Sequence, residues 1–213
     1  MAKDLWRLGD QYAGASLDPG DCDPDPITEL RRWMTAAVDA KLPTPNAMTL
    51  ATVDERGRPA ARIVLLKEVD DRGFVFYTSY ASRKGHDLSV HPSAALVLFW
   101  EPMHRQVRVE GVIERVTSQE SDAYFASRPR GSQLGAIASP QSQPLPDRKA
   151  LEDLVTSVSH AHGDAALPRP ATWGGYRVVP DMIEFWQGQP SRLHDRVRYR
   201  LLDGAWITDR LAP

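Results

Sequence analysis

The sequence is poor in features that narrow the function of many proteins, beginning with cysteine and long apolar runs. Cys22 is the only cysteine among 213 residues, which excludes an intrachain disulfide framework and a thiolate zinc cluster built from this chain alone. A reducing compartment fits this composition, so we expect a cytoplasmic location. No segment approaches the roughly 20 apolar residues that span a bilayer, and residues 1–14 lack the apolar run of a signal peptide. We expect no membrane partner.

The sequence also lacks an excess of either positive or negative charge. The chain has 26 Lys and Arg against 28 Asp and Glu, and its formal net charge is −2. This balance argues against a basic surface that follows nucleic acid phosphates, so any anion site must be local. A hydrophobic content of 42% is enough for one sizeable core. We therefore expect a single domain over residues 24–213, after a leader over residues 1–23 with little regular structure.

Short motifs that carry well-known chemistries are missing. The six histidines form no HExxH or similar metal spacing, so a metal site is not expected. The chain also lacks a GxGxxG motif after a strand, a GxxxxGK[ST] loop and a GxSxG elbow. The sequence therefore gives no local sign of a dinucleotide site, a P-loop or a hydrolase site. The candidate residues that remain are clusters of cations.

Alternating and continuous apolar runs predict a mostly β chain. The turn-forming pair at 203–204, Asp-Gly, predicts a tight hairpin near the end, after strands that resume near Trp173. Close spacing of the earlier runs favours antiparallel hairpins in a barrel or meander over parallel βαβ units. The earlier runs lie at 48–54, 61–70, 73–79, 94–101 and 105–116.

Helices are predicted to flank this sheet, which makes the fold class α+β. Asp25 followed by Pro26 is typical of a helix start, and apolar residues at helical spacing extend the helix to about Leu42. Further helices are predicted at 82–91, 118–127 and 147–162.

The first cation cluster is the segment RIVLLK. Arg62 and Lys67 flank an apolar strand whose interior residues should be buried on both faces. Their odd spacing would point them to opposite faces, so they would serve different ligand groups. The alternative is that both are ordinary charged residues at strand ends, with their apolar stems packed on the sheet.

Two further clusters could hold a phosphate. The tripeptide SRK at 82–84 lies at a predicted helix start, where backbone N–H groups and the helix dipole favour an anion. Tyr124 and Arg128 are four residues apart on one helix face, and Ser132 follows the break at Pro129, so that together they offer three donors. The alternative for both clusters is a solvated helix surface.

The most unusual cluster lies near the end of the chain. Five possible cations alternate there and would project from one face of an extended segment, where like charges need carboxylates or an anionic ligand beside them. They are Arg192, His194, Arg196, Arg198 and Arg200. An exposed basic edge strand is the alternative. Just before them, Trp186 could line a planar ring or belong to the core.

Nine segments in order resemble the signature blocks of the pyridoxamine 5′-phosphate oxidase family. The resemblance extends from about Asp25 to Pro213, and its order and spacing make chance similarity very improbable. It implies an FMN-binding split β-barrel, a homodimer, and two FMN sites made from both subunits. The blocks are RIVLLK, FYTSYASRKG, RQVRVEG, YFASRPRGSQLGA, SPQS, WGGYRV, EFWQG, RLHDR and DRLAP.

The resemblance also assigns individual residues. Gln141 and Ser142 are expected from the partner subunit or its neighbourhood. The flavin-contacting positions are Arg62, Ile63, Val64, Leu65, Leu66, Lys67, Tyr77, Thr78, Arg83, Lys84, Gln106, Gln141, Ser142, Trp186 and Arg196. The positions for the substrate phosphate are Lys67, Tyr124, Arg128 and Ser132, and the catalytic pair over the pyridine ring is Arg192 and His194.

The family activity that this implies is oxidation of pyridoxamine or pyridoxine 5′-phosphate to pyridoxal 5′-phosphate, with O2 as acceptor and H2O2 as by-product. In the leader, Tyr12 matches a residue that closes over the substrate. The family usually carries Arg three residues before it, whereas this chain has Gly9 there and Arg7 displaced. Two alternatives therefore stay open: a related flavin oxidase with a substrate of the phenazine-biosynthesis type, and a non-catalytic protein that binds FMN or pyridoxal phosphate.

Overall fold

The structure is a computed structural model that describes Tyr12 and residues 14–213. The substitution at Gly9 and the displaced Arg7 therefore lie outside the described residues. The predicted fold class, mostly β with flanking helices, is confirmed. The described part of the chain contains five α-helices, α1 Pro26–Asp39, α2 Arg83–Val90, α3 Ser118–Ser127, α4 Arg130–Ala138 and α5 Arg148–His162. Its nine strands are β1 Ala47–Val53, β2 Pro59–Leu65, β3 Glu68–Asp70, β4 Gly73–Ser79, β5 Ser93–Trp100, β6 Arg105–Arg115, β7 Trp173–Gln187, β8 Asp195–Leu202 and β9 Ala205–Arg210.

The strands form a sheet in the order β2-β1-β5-β6-β7-β4-β3, and β8 pairs with both β7 and β9. The β3–β4 and β8–β9 pairs are antiparallel hairpins, as the short spacings predict. The β4–β7 and β7–β8 pairs are antiparallel as well. Contacts divide the chain into two compact units. Unit 1 contains the described residues up to Thr49, Ala95–Glu110 and Pro180–Pro213, and unit 2 contains Leu50–Ala94 and Gly111–Val179. Each unit is described by itself below.

Unit 1 is organised around α1 and the C-terminal strands. Asp25 caps α1 by accepting from the backbone N–H of Ile27 at 3.0 Å and of Thr28 at 3.1 Å, as predicted. The helix ends three residues earlier than predicted, because Lys41 adopts a left-handed φ of 55°. Its buried Trp33 packs edge-on against Phe185 of β7, with ring centroids 5.0 Å apart.

The C-terminal hairpin of unit 1 forms as predicted. Asp203 and Gly204 connect β8 to β9 with φ values of 51° and 80°, the positive values of a type I′ turn. In the leader, the backbone N–H of Leu17 donates to Asp195 at 3.1 Å, and a short 3-10 helix covers Pro19–Asp21. The domain boundary at residue 24 stays a prediction.

Unit 2 differs from prediction in the segment after β1. The predicted strand at 61–70 is interrupted, because β2 ends at Leu65 and the backbone N–H of Lys67 then donates to Val75 O at 2.8 Å. The prediction that its interior is buried on both faces is wrong: Ile63 is 64% exposed and Leu65 39%. Burial alternates along β2, so within this chain the face of the strand that carries Ile63 and Leu65 is exposed.

Two helices of unit 2, α3 and α4, meet at Arg128 and Pro129. A capping box between Thr117 and Glu120 starts α3, and Pro129 places Arg128 in an extended conformation that ends it, as predicted. The next helix, α4, was not predicted, because Gly131 and Gly135 weaken its intrinsic helix propensity. It packs against α5.

Candidate functional site

Unit 2 contains a cavity of about 440 Å³, a size typical of small-molecule sites. It is bounded by the end of β2, by β4, by the start of α2 and by the segment from α3 to α4. Eleven residues that the resemblance assigns to flavin or substrate line it: Ile63, Val64, Leu65, Lys67, Tyr77, Thr78, Lys84, Tyr124, Arg128, Ser132 and Gln141. The lining also includes Pro129 and Trp173, which the sequence did not indicate as site residues.

One side of the cavity is built around Lys84. Its Nζ donates to Gln141 Oε1 at 3.0 Å, to Thr78 Oγ1 at 3.1 Å and to Ser82 Oγ at 3.3 Å. All three acceptors are neutral, so these bonds position the ammonium group without cancelling its charge. Burial lowers the pKa of Lys84, and the nearby positive charge of Arg62 lowers it further. Such a cation is well suited to an anionic ligand.

Local backbone geometry explains why Lys84 lies there. Ser82 caps α2 by accepting from the N–H of Gly85 at 3.3 Å. A Cβ on Gly85 would lie 2.2 Å from the carbonyl oxygen of Tyr80, so only glycine allows the helix to start so close to the preceding loop.

Arg62 is not among the residues that line the cavity. Its guanidinium donates to Thr52 Oγ1 at 2.7 Å and to Leu50 O at 3.1 Å, and it forms an ion pair with buried Asp87 at 3.5 Å. Thr52 Oγ1 in turn donates to Asp87 at 2.7 Å. Leu66 is also buried. The flavin contacts assigned to these two positions stay predictions, whereas the structure shows Arg62 supporting β1.

The other side of the cavity has an unpaired cation. Arg128 Nη1 is buried and has no hydrogen-bond partner, and the guanidinium carbon lies 4.8 Å from the Trp173 ring centroid. Burial lowers the pKa of Arg128. An unsatisfied buried donor costs about 1–3 kcal/mol, more when charged, unless a ligand supplies the acceptor. This side of the cavity therefore carries a positive charge, and one donor of the same guanidinium has no protein acceptor.

Aromatic rings form the wall beside Arg128. Tyr77 and Tyr124 stack with centroids 3.9 Å apart, and Trp173 is nearly parallel to both. Lys67 Nζ lies 5.9 Å from the Tyr124 ring centroid. A Cβ on Gly175 would lie 2.8 Å from the Tyr77 ring, so the WGG sequence of β7 permits this packing. The block WGGYRV is the signal that could have identified Trp173.

Arg83 and Ser142 line a separate cavity of about 460 Å³ in unit 2. Each is the chain neighbour of a residue in the first cavity, Lys84 or Gln141. Arg115 also lines the second cavity, with its guanidinium carbon 4.1 Å from the Tyr80 ring centroid. The structure thus divides these four predicted flavin-contacting residues between two cavities.

Unit 1 contains the remaining predicted residues, including an aromatic group around Tyr12. The Tyr12 ring meets His104, Trp186 and His194 edge-on, with centroid distances of 4.9, 5.5 and 5.3 Å. A Cβ on Gly188 would lie 2.8 Å from the Tyr12 ring, so this arrangement requires glycine there. Gln106 lies near the start of β6, also in unit 1.

The protonation of His194 follows from its surroundings. The backbone N–H of Gln189 donates to His194 Nδ1 at 3.1 Å, which leaves the ring proton of the neutral form on Nε2. Burial lowers the pKa of His194, and the charge of Arg192 lowers it further. At neutral pH the side chain is therefore a neutral donor through Nε2.

The prediction that five cations alternate along one extended segment is wrong. Arg192 belongs to a 3-10 turn, Pro190–Arg192, with a φ of 60°, and β8 starts only after His194. The three cations within β8 are paired with carboxylates. Arg196 makes a two-pronged contact with buried Glu184, both distances being 3.0 Å, and Arg198 and Arg200 both bond Asp209, at 3.1 and 2.8 Å.

Among the described residues, no group of three or more His, Cys, Asp and Glu side chains could hold a metal ion, and no helix is long and apolar enough to cross a membrane. The cavity residues instead fit a phosphorylated organic ligand, because the orphaned Arg128 donor and the Lys84 ammonium lie among aromatic and apolar surfaces.

Comparisons with solved structures support the same fold. PhzG from Burkholderia lata 383, solved in complex with tetrahydrophenazine-1-carboxylic acid, superposes with a TM-score of 0.88 and 34% identity, covering 94% of this chain and 99% of PhzG. A pyridoxamine 5′-phosphate oxidase-related, FMN-binding protein from Nostoc punctiforme superposes with a TM-score of 0.71 and 17% identity over 93% of this chain and all of that one. The split-barrel fold implied by the resemblance is thereby confirmed.

Sequence comparisons identify the family. Residues 34–162 match the model of pyridoxamine 5′-phosphate oxidase, and residues 173–213 match the pyridoxine 5′-phosphate oxidase C-terminal dimerisation region. A pyridoxine/pyridoxamine 5′-phosphate oxidase of Burkholderia cenocepacia is 58% identical over 98% of this chain and 99% of its own length. One of Neisseria meningitidis is 52% identical over 99% of this chain and its own full length. The chain belongs to the pyridoxamine 5′-phosphate oxidase family.

Proposed function

We propose that the protein is an FMN-dependent oxidase that converts pyridoxamine 5′-phosphate and pyridoxine 5′-phosphate to pyridoxal 5′-phosphate, with O2 as acceptor and H2O2 as by-product. The observation that carries this proposal is the buried, unpartnered Nη1 of Arg128 in a cavity that also contains Lys67, Tyr124 and Ser132. A substrate phosphate would accept from these donors, each charge-assisted bond contributing about 1.5–3 kcal/mol.

The opposite side of the cavity would hold the cofactor. Lys84, with Thr78 and Gln141 bonded to it, presents positive charge beside the apolar segment Ile63, Val64 and Leu65. This combination suits a ligand that joins a phosphate to a large planar ring. When bound there, FMN would accept the hydride from the 4′ carbon of the substrate and pass the electrons to O2.

Arg192 and His194 are proposed to act on the pyridine ring. His194 would donate through Nε2, since Nδ1 already accepts from the Gln189 backbone. Arg192 would contribute positive charge, and its turn places it two residues before His194. Both roles are orientation and charge stabilisation, so neither residue needs to act as a nucleophile.

A homodimer is part of this proposal. Residues 173–213 match a dimerisation region, and Ile63 and Leu65 expose apolar surface on β2 within one chain. Part of each flavin site would come from the second subunit, as the resemblance implies. Within one chain, Gln141 already bonds Lys84 and Thr78, so it needs no partner for those contacts. A cytoplasmic location completes the proposal.

The similarity to PhzG supports one alternative, a flavin oxidase of phenazine-type substrates. The ligand named in that complex carries a carboxylate, whereas the cluster around Arg128 offers enough donors for a phosphate dianion. The identity of 34% with PhzG is also lower than the 52–58% shared with relatives named pyridoxine/pyridoxamine 5′-phosphate oxidase. Both points favour the phosphorylated substrate.

The test is peroxide release by the flavin-loaded protein. We expect H2O2 with pyridoxine 5′-phosphate and pyridoxamine 5′-phosphate, in a one-to-one ratio with pyridoxal 5′-phosphate. Unphosphorylated pyridoxine and tetrahydrophenazine-1-carboxylic acid serve as controls and should give little peroxide. Turnover confined to the phenazine-type substrate would replace the proposal with that alternative. Tight FMN or pyridoxal phosphate binding without any peroxide would indicate a non-catalytic binding protein.

A further inference from the structure

We propose that Trp173 is the positioning residue that makes this cavity selective for a phosphate, because it holds the guanidinium of Arg128 in place for the ligand. The inference rests on the proposed function for its ligand, a phosphorylated pyridine. None of the sequence signals that pointed to the substrate phosphate included Trp173. It is 6% exposed, so most of its surface packs against the protein while one part lines the cavity.

The Arg128 guanidinium lies over the indole ring of Trp173. The guanidinium carbon of Arg128 lies 4.8 Å from the Trp173 centroid and 6.0 Å from that of Phe125. The ring attracts the positive charge of the guanidinium, whereas its N–H groups act as hydrogen-bond donors. Nη1 is one of those donors, and it has no protein partner. Trp173 thus contacts the cation at the edge of the cavity, and no protein acceptor bonds Nη1.

The backbone directs Arg128 onto Trp173. Arg128 precedes Pro129 and is extended, with a ψ of 149°, so the chain turns out of α3 at this residue. Its carbonyl oxygen accepts from Gln133 Nε2 at 2.8 Å, which holds the turn. The indole face then limits where the side chain can go. Without that face, the long side chain would regain rotamers that do not present Nη1 to the cavity.

Trp173 is itself held by α3. Its carbonyl oxygen accepts from Arg169 Nη1 at 2.5 Å, and Arg169 Nε donates to Asp122 of α3 at 2.6 Å. Its ring packs edge-on against Phe125, also in α3, with centroids 5.2 Å apart. The helix that carries Tyr124 and ends at Arg128 is therefore tied to the same tryptophan that supports the guanidinium.

The experiment measures the ratio of affinities for pyridoxal 5′-phosphate and unphosphorylated pyridoxal, by absorbance titration of the flavin-loaded protein. Trp173→Leu should reduce this ratio about 5- to 30-fold, the range for losing a partly desolvated cation–π contact. Trp173→Phe keeps an aromatic face and should retain most of the ratio. Trp100→Leu is the matched control, because Trp100 is 3% exposed in unit 1 and its loss should lower stability while leaving the ratio unchanged.

A double-mutant cycle separates positioning from general damage. If Trp173 acts through Arg128, then Trp173→Leu should have almost no further effect on the ratio in an Arg128→Met background. An unchanged ratio in Trp173→Leu, or an equal loss in both backgrounds, would overturn the proposal. If Trp173→Leu does not fold, Trp173→Met replaces it, because methionine preserves more of the side-chain volume. The same ratio of affinities is then measured for that variant. The titration needs no turnover, so failure of the peroxide assay and failure of this proposal are distinguishable.

Discussion

The cations of strand β8 in unit 1 and the cations that line the cavity in unit 2 differ in what neutralises them. In unit 1, Arg196 bonds Glu184, and Arg198 and Arg200 share Asp209, so the basic row is compensated by the protein itself. In unit 2, Lys84 is surrounded by neutral oxygens and Arg128 has a buried donor without a partner. The row was the most conspicuous charge pattern of the sequence, yet each charge of its strand portion is paired with a carboxylate, although Arg198 Nε is buried without a hydrogen-bond partner. The less conspicuous Lys84 and Arg128 have positive charge available for ligands.

This comparison predicts opposite consequences for removing charge in the two units. In unit 1, removing one member of an ion pair leaves a partner uncompensated, so stability should fall. In unit 2, removing an unpaired cation relieves a buried charge, so binding should fall while stability does not. The four substitutions below test that difference, from the largest expected effect to the smallest.

Glu184→Gln should cause the largest loss of stability. Glu184 is 3% exposed and accepts from Arg196 at 3.0 Å and from Arg108 at 3.3 Å. Its neutralisation leaves two cations without their buried counterion, and we expect the free energy of unfolding to fall by about 2–3 kcal/mol. Urea unfolding at constant protein concentration measures it. The matched control is Glu114→Gln, which removes a half-exposed partner of Arg177 and should have a clearly smaller effect. Equal losses for both would break the comparison.

Arg128→Met should lower phosphate binding without lowering stability. Losing the orphaned donor and its charge removes about 2 kcal/mol of interaction with a substrate phosphate, which is about a 30-fold increase in KM. The urea midpoint should stay nearly the same, since the partly buried cation that is removed has no counterion, which offsets the loss of its contact with Trp173. Steady-state peroxide assays and urea unfolding on the same preparation measure both. A fall in the urea midpoint with an unchanged KM would show that Arg128 is structural.

Lys84→Met should weaken flavin retention by about 10-fold, as expected for one charge-assisted contact. Dialysis followed by absorbance measures the FMN that stays bound. The wild-type protein should lose more FMN at high salt than at low salt, because salt screens the attraction between the ammonium group and the flavin phosphate. Burial holds the pKa of Lys84 below its ordinary value of 10.5. Retention by the wild type should therefore begin to fall at a pH below 10.5, as the ammonium group loses its proton, and Lys84→Met should lack this alkaline limb. Lys149→Met, on the exposed face of α5, is the control and should retain flavin normally.

Local signals in the sequence predicted the elements that depend on neighbouring residues alone. The start of α1 at Pro26 follows from the Asp25 cap, α3 matches its predicted bounds because Pro129 ends it, and the hairpin after β8 follows from Asp203 and Gly204. Each of these features is decided within about four residues of chain. The nine blocks of family resemblance added the set of cavity residues, eleven of which the structure brings together.

What the sequence did not show depends on contacts between distant residues. Which carboxylate meets which arginine follows from the β7–β8 register, where Glu184 is opposite Arg198 and yet bonds Arg196. The exposure of one face of β2 could not be predicted either, because it depends on whether another element packs against that face. Trp173 joins the site only because β7 brings it beside α3. The register and strand order that produce these contacts have no local signature.

Asp209→Asn should have the smallest effect of the four. Asp209 accepts from Arg200 at 2.8 Å and Arg198 at 3.1 Å, and these bonds hold the pKa of its carboxyl below its ordinary value of 3.8. Because the folded state favours the ionised form, this contribution to stability is present at neutral pH and is lost as the pH falls below 3.8. All three side chains are about one-third exposed, so water replaces much of the pairing. The melting temperature at pH 7 should therefore drop less than for Glu184→Gln, and the difference between wild type and variant should vanish in acid. A drop as large as that of Glu184→Gln would mean that exposed and buried carboxylates neutralise the row equally, and would remove burial as the reason for the contrast.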